Sequence, residues 1–165
     1  MHVGDERTGV VTGNDGAPEA VLMLEIGSRR VAREHFRQLS LTEGELEHAI
    51  ATIEDEVARA RPMLIKRSTL FTTDEVFRRI ATNAGVPAGA SLIFRLEVVE
   101  QTFGRFVSEA LGKSPRSNAV PLDRESAAAL LILREFMHHL QFASINVEVP
   151  STPMEPLAIE ERPSS

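Results

Sequence analysis

Seven consecutive apolar residues, 127–133 (Ala-Ala-Ala-Leu-Leu-Ile-Leu), stand inside a stretch that reads as one helix from 123 to about 142. Asp123 is a good N-cap for it. A helix that is apolar all round has no face to turn to water, so it is buried on every side. In 165 residues such a helix must be the central core element or lie at a subunit contact. The rest of the chain has to cover it.

The best covering candidates announce their own starts. Thr42 and Glu45 form a T-x-x-E capping box, with Leu41 and Leu46 at the staple positions. Glu43, Glu45 and Glu47 put negative charge at the positive end of the helix dipole, and Arg59 and Arg61 sit at the other end. Leu46, Ala49, Ile50, Ile53, Val57 and Ala60 make one stripe, and Pro62 ends it. The signal recurs at Thr72 and Glu75, with Phe71 and Val76 as the staple pair. This predicts a helix over 73–84, stopped by Gly85. Residues 91–111 read as a long helix through Leu92, Leu96, Val99, Phe103, Phe106 and Ala110, closed by Gly112. The rival is a strand over 92–99 and then a helix, because Phe94, Leu96 and Val98 also alternate and Gly104 costs a helix interior ~1 kcal/mol.

The ends of the chain read differently. Residues 1–18 are rich in Gly and charge and are expected to form a flexible arm, although 10–12 could be half of a hairpin. Residues 21–26 suit a short buried strand closed by Gly27, followed either by a helix from Ser28 or by a return strand over 30–37. Residues 144–149 alternate like an edge strand that would pair with 21–26. Residues 150–165 hold four Pro and are expected to be a disordered tail. The expected architecture is a mainly α, compact single domain over 19–149. It has four to five helices, and a two- or three-stranded sheet joins the N- and C-terminal segments, an α+β variant.

Composition narrows the function. Hydrophobic residues make up 42%, enough for a core, which must be aliphatic because there are eight Phe and no Trp or Tyr. A net charge of -6 argues against a nucleic-acid surface. The absence of Cys excludes disulfides, thiol catalysis and Cys-ligated metals. No apolar run approaches the ~20 residues that span a bilayer, and the first residues lack the plan of a signal peptide. A cytoplasmic protein is the expectation.

Two constellations could carry chemistry. The first is a pair of Glu-x-x-His motifs, Glu45 with His48 and Glu135 with His138. Di-metal helical bundles use two such motifs, since a spacing of three puts carboxylate and imidazole on one helix face. On a helical wheel, however, His48 and His138 lie about 150° and 160° from the centres of their apolar stripes. The bundle also needs a lone Glu from two further helices, for which Glu34 and Glu97 are nominal candidates. Glu135 can reach either His138 or His139, and a carboxylate partner raises a His pKa, so these three form a proton or divalent-metal candidate. The bland reading is solvated Glu–His pairs.

The second constellation is Gly27-Ser28-Arg29-Arg30, where helix N–H groups and two Arg could hold an anion. Residues 25–28, Glu-Ile-Gly-Ser, resemble the strand-turn of the first phosphate loop in actin-fold phosphatases and kinases. In that family the strand carries an Asp where Glu25 stands, and the fold needs two large domains, which 165 residues do not supply. Nothing after Arg30 continues the likeness, so it identifies no family.

No nucleophile elbow, Walker loop, dinucleotide fingerprint or zinc spacing is present. The function expected is therefore a non-catalytic interaction or regulatory module acting through helix surfaces. The apolar excess at 127–133, with Phe94 and Val98 off their stripe, points to a homodimer. A protein partner fits this reading; a membrane or a nucleic acid does not. The alternatives are a metal-binding helical protein using the two Glu-x-x-His pairs and a small binder of phosphate-type anions at Gly27–Arg30.

Overall fold

The computed structural model describes residues 1–14, 17–37, 41–64, 68–113, 115 and 121–150. The tail expected at 150–165 lies, apart from its first residue, outside the described residues.

The first sheet comes from the stretch expected to be an arm. β1 (His2–Val3), β2 (Thr8–Asn14) and β3 (Ala17–Leu24) are antiparallel in that order. The N-terminal residues are held because β2 alternates, with Thr8 and Val10 buried and Val11 exposed opposite Val21. The Thr8 hydroxyl donates to the Ile26 carbonyl at 2.7 Å, so its buried polar atom is satisfied. A second sheet has β4 (Leu70–Thr72) and β5 (Ser91–Arg95) flanking a central β6 (Ser144–Glu148), parallel to β4 and antiparallel to β5. The expected pairing of 21–26 with 144–149 does not occur, since β3 and β6 belong to different sheets. The sheets meet edge to edge through β1 and β4. The Met1 ammonium donates to the Phe71 carbonyl at 2.6 Å, and the Val3 N–H donates to Asp74 at 2.7 Å.

Among the described residues there are five helices: α1 (Ser28–His35), α2 (Glu43–Ala58), α3 (Glu75–Asn83), α4 (Leu96–Ala110) and α5 (Arg124–His139). α5 is the buried centre, and the other four pack on it. Every residue from Ser126 to Leu133 is buried within this one chain. The apolar excess that suggested a homodimer is therefore covered by α1 to α4, and Phe94 is covered too.

Local signals act as their chemistry dictates where nothing competes. The Thr42 box on α2 closes in both directions, Glu45 N–H to the Thr42 hydroxyl at 3.2 Å and Thr42 N–H to the Glu45 carboxylate at 2.9 Å. α3 and α4 end on Gly85 and Gly112 at φ +92° and +69°, each followed by an N–H that reaches back six-to-one, Val86 to Ala81 and Lys113 to Ser108. The second expected box does not form. Thr72 ends β4 and accepts from Asp74 N–H at 3.1 Å, and Asp74 is the N-cap residue. The Asp74 carboxylate is turned to β1, taking Val3 N–H and the His2 ring, so it does not cap α3.

The long helix expected over 91–111 is corrected to a strand and a helix. Leu92 and Phe94 point into the core while Ile93 is exposed, a period of two that pairs with β6. The helical period starts only at Leu96. Of the two readings of 21–37, the strand followed by a helix is the observed one.

Candidate functional site

Gly27 stands where α1 meets the β1–β2 turn. A Cβ there would lie 2.5 Å from the Asp5 carbonyl oxygen and 2.6 Å from the Arg7 nitrogen, so only glycine lets the two backbones touch. The contact uses up the start of the helix. Ser28 N–H donates to the Gly4 carbonyl, and Arg29 and Arg30 N–H both donate to the Asp5 carbonyl, at 2.9, 3.0 and 3.0 Å. The N–H groups expected to cradle an anion thus hold the turn instead. Arg29 pairs with Asp5 and Glu125, and Arg30 with Glu25 and Glu34.

The two Glu-x-x-His pairs do not come together. Glu45 is the capping-box residue, and hydrogen bonds from Thr42 hold its carboxyl below the ordinary range. His48 is exposed and lies edge-on to His35 at 5.1 Å. His138 is exposed, 3.9 Å from Glu100. Glu135, expected on the outer face, is instead 1% exposed. Burial raises its carboxyl above the ordinary value, against the opposing pull of Arg134, which is bonded to it, and of His139. His139 Nε2 lies 3.4 Å from Glu135 and 3.0 Å from Glu54 on α2. Glu54 follows Glu45 by nine residues, roughly 13 Å of helix rise, so the register of α2 against α5 chooses the partner. Glu34 is committed to Arg30, and Glu97 is exposed on the first turn of α4.

The larger feature is an open groove of about 690 Å³ at the N-terminal ends of α1 and α5. Asp5 of the β1–β2 turn, Ser28 of α1, Arg79 of α3 and Asp123, Arg124, Glu125 and Ser126 at the start of α5 line it. A relay runs across it. Arg79 donates to the Ser126 hydroxyl at 3.0 Å, and that hydroxyl donates to Asp123 at 2.8 Å. Burial alone would raise the Asp123 carboxyl, but the N–H and hydroxyl of Ser126, with Arg79 near, hold it below its usual value. Arg124 donates to the Arg37 carbonyl at 2.8 Å. Among the described residues neither Arg79 nor Arg124 has a carboxylate within ion-pair distance. Both can therefore offer charge to a ligand. Sequence reasoning found Asp123 only as a cap and missed Asp5, Arg79, Arg124 and Ser126, which are scattered along the chain and follow no spacing rule.

No protein-family model matches the sequence, and no curated protein matches it. Solved structures do. A Ppx/GppA enzyme of Aquifex aeolicus superposes with a TM-score of 0.70 at 19% identity, covering 89% of this chain and 51% of its own. The type II variant of the Aquifex aeolicus Ppx/GppA phosphatase gives 0.72 at 16% identity with the same coverage. An exopolyphosphatase-like protein gives 0.64 at 14% identity, covering 89% of this chain and 54% of its own. The chain has the fold of about half of a Ppx/GppA protein. Identity this low shows the fold alone.

That fold overturns the expectation of a non-catalytic interaction or regulatory module, since the Ppx/GppA structures that share it are described as enzyme and phosphatase. That expectation rests on the absence of a short motif, which says nothing of the fold. Among the described residues no helix is long and apolar enough to cross a membrane.

Proposed function

We propose that this chain forms the ligand-bearing half of a Ppx/GppA-like, phosphatase-type fold, and that a phosphate-bearing ligand lies in the groove between the β1–β2 turn, α3 and the start of α5. The observation that carries the reading is the coincidence of that fold over 89% of the chain with the groove that holds Arg79 and Arg124. Three arginines (Arg29, Arg79, Arg124) stand against three carboxylates (Asp5, Asp123, Glu125), so the groove region is balanced rather than strongly anionic. Arg29 engages Asp5 and Glu125, which leaves the Arg79 and Arg124 guanidiniums to meet phosphate oxygens. Ser126 then orients Arg79, with Asp123 fixing the hydroxyl.

Hydrolysis belongs to the proposal only for a complete two-part site, because this chain spans about half the length of the structures it resembles. A cytoplasmic setting is part of the same proposal.

The test is ligand-induced stabilisation. A ligand bound only by the native state raises the melting temperature. Inorganic phosphate, tripolyphosphate and ATP at millimolar concentration, with and without Mg²⁺, are added to the chain and to Arg79→Ala and Arg124→Ala variants. The expected result is a rise with at least one of them that is at least halved in each variant. Unchanged melting with all three, or equal rises in the variants, refutes the proposal.

A further inference from the structure

At the other end of α5 a second group of side chains converges, outside the groove. Glu54 of α2 and Glu135 and His139 of α5 present one ligand atom each, all within 4.8 Å of one another. His139 Nε2 is 3.0 Å from the Glu54 carboxylate and 3.4 Å from the Glu135 carboxylate. Tetrahedral zinc bound by nitrogen and carboxylate oxygen at ~2.0–2.1 Å has ligand-to-ligand edges of roughly 3.3 Å. The two distances from His139 bracket that edge, and the third, between the carboxylates, is within 4.8 Å. We propose that Glu54, Glu135 and His139 form a three-ligand site for a divalent metal of the zinc type, with the fourth position open to solvent.

Three features support the assignment. The ligand set is mixed, one imidazole with two carboxylates, and two carboxylates compensate a dication once Glu135 is ionised. Glu135 is buried while Glu54 and His139 are partly exposed, which gives one anchored ligand and an entry path on the solvent side. The Arg134 guanidinium is bonded to Oε1 of Glu135 and faces Oε2 away from itself, toward His139, as an outer partner that orients a metal-bound carboxylate would. The ligand set is not the pair of Glu-x-x-His motifs read from the sequence. Glu45, His48 and His138 take no part in it.

A protonated His139 bridging the two carboxylates would explain the same geometry without a metal, and the experiment separates the two. Zinc chloride is titrated into the metal-free full chain, purified without a His tag, at neutral pH, followed by calorimetry and by a competing chromophoric chelator. One equivalent of zinc is expected per chain, with Kd below about 10 µM and release of protons on binding. Glu54 is partly exposed, so Glu54→Gln keeps the fold, checked by an unchanged melting temperature in EDTA, and is expected to weaken zinc at least tenfold. His139→Gln weakens it likewise, whereas Glu45→Gln and His48→Gln, read together, leave it unchanged. X-ray absorption at the zinc edge is expected to show one imidazole among oxygen ligands. Absence of stoichiometric zinc at 100 µM metal (on the order of ten times the expected Kd), or equal affinity in Glu54→Gln, overturns the assignment in favour of the proton-bridged cluster.

Discussion

Replacing Gly27 by alanine tests the contact that joins the groove to the core. The Gly27 backbone, at φ −142° and ψ 163°, is in a conformation that any residue adopts, so conformational preference contributes no cost. The cost is steric. The new methyl would lie 2.5 Å from the Asp5 oxygen, 2.5 Å from the Glu6 carbonyl carbon and 2.6 Å from the Arg7 nitrogen, all backbone atoms that no rotamer change moves aside. Relief needs the β1–β2 turn to move off by nearly 1 Å, the gap to ordinary contact at roughly 3.4 Å. That motion lengthens the bonds from Ser28, Arg29 and Arg30 to the turn. Three such bonds at ~1 kcal/mol net each give a loss of about 3 kcal/mol. In a domain of this size that is a melting temperature lower by roughly 6–12 °C. Urea unfolding followed by circular dichroism is the assay, with the midpoint expected to fall at constant slope. Gly104→Ala is the companion. It lies inside α4 with no atom within 4 Å of the added Cβ, so it is expected to gain about 0.5–1 kcal/mol. A Gly27→Ala protein within 0.5 kcal/mol of the parent (about the scatter of an ordinary surface substitution) would show that the turn and α1 are not in the contact described.

Two further expectations follow from the core. Leu131→Ala in the fully buried centre of α5 is expected to cost about 2–5 kcal/mol in urea unfolding, and a loss below ~1 kcal/mol would mean that α5 is not the central helix. His35 is buried with no hydrogen-bond partner on Nε2 among the described residues, and burial, with His48 beside it, lowers its pKa. The unfolded chain then takes up its proton first, so stability is full above the ordinary His value and falls as pH drops below it toward the folded value. His35→Gln is expected to flatten the loss between ~pH 7 and pH 5, and an identical pH profile for the variant refutes the role.

Much of the helical half of the fold can be read from the chain. The Thr42–Glu45 box, the Asp123 cap, the stops at Gly85 and Gly112 and the stripe through Ile53 and Val57 all behave as expected, because each is a short-range bond or a short-range period. The readings that failed are those in which a distant partner changed the answer. Asp74 took the cap position of α3 while its carboxylate served β1, 71 residues away in sequence. Leu92 and Phe94 obeyed a period of two only because β6 runs alongside them. Glu135 was expected to be solvated as part of a Glu–His pair on the helix surface, yet the neighbours of α5 surround it on nearly all sides. The groove was invisible for the same reason, since Asp5, Arg79 and Ser126 lie in three elements with no fixed spacing.

What the sequence alone determined was the seven-residue apolar run, and with it a central helix, since such a surface cannot stay in water. Its capping residues and glycines determined where several helices begin and end, because those bonds close within one turn. Which strands pair, which carboxylate meets His139, and which arginines face the groove were decided only by tertiary structure. The pairing of β4 with β6, the contact of His139 with Glu54 and the bond from Arg79 to Ser126 join residues 75, 85 and 47 positions apart, and their energy exists only once the whole chain has closed on α5.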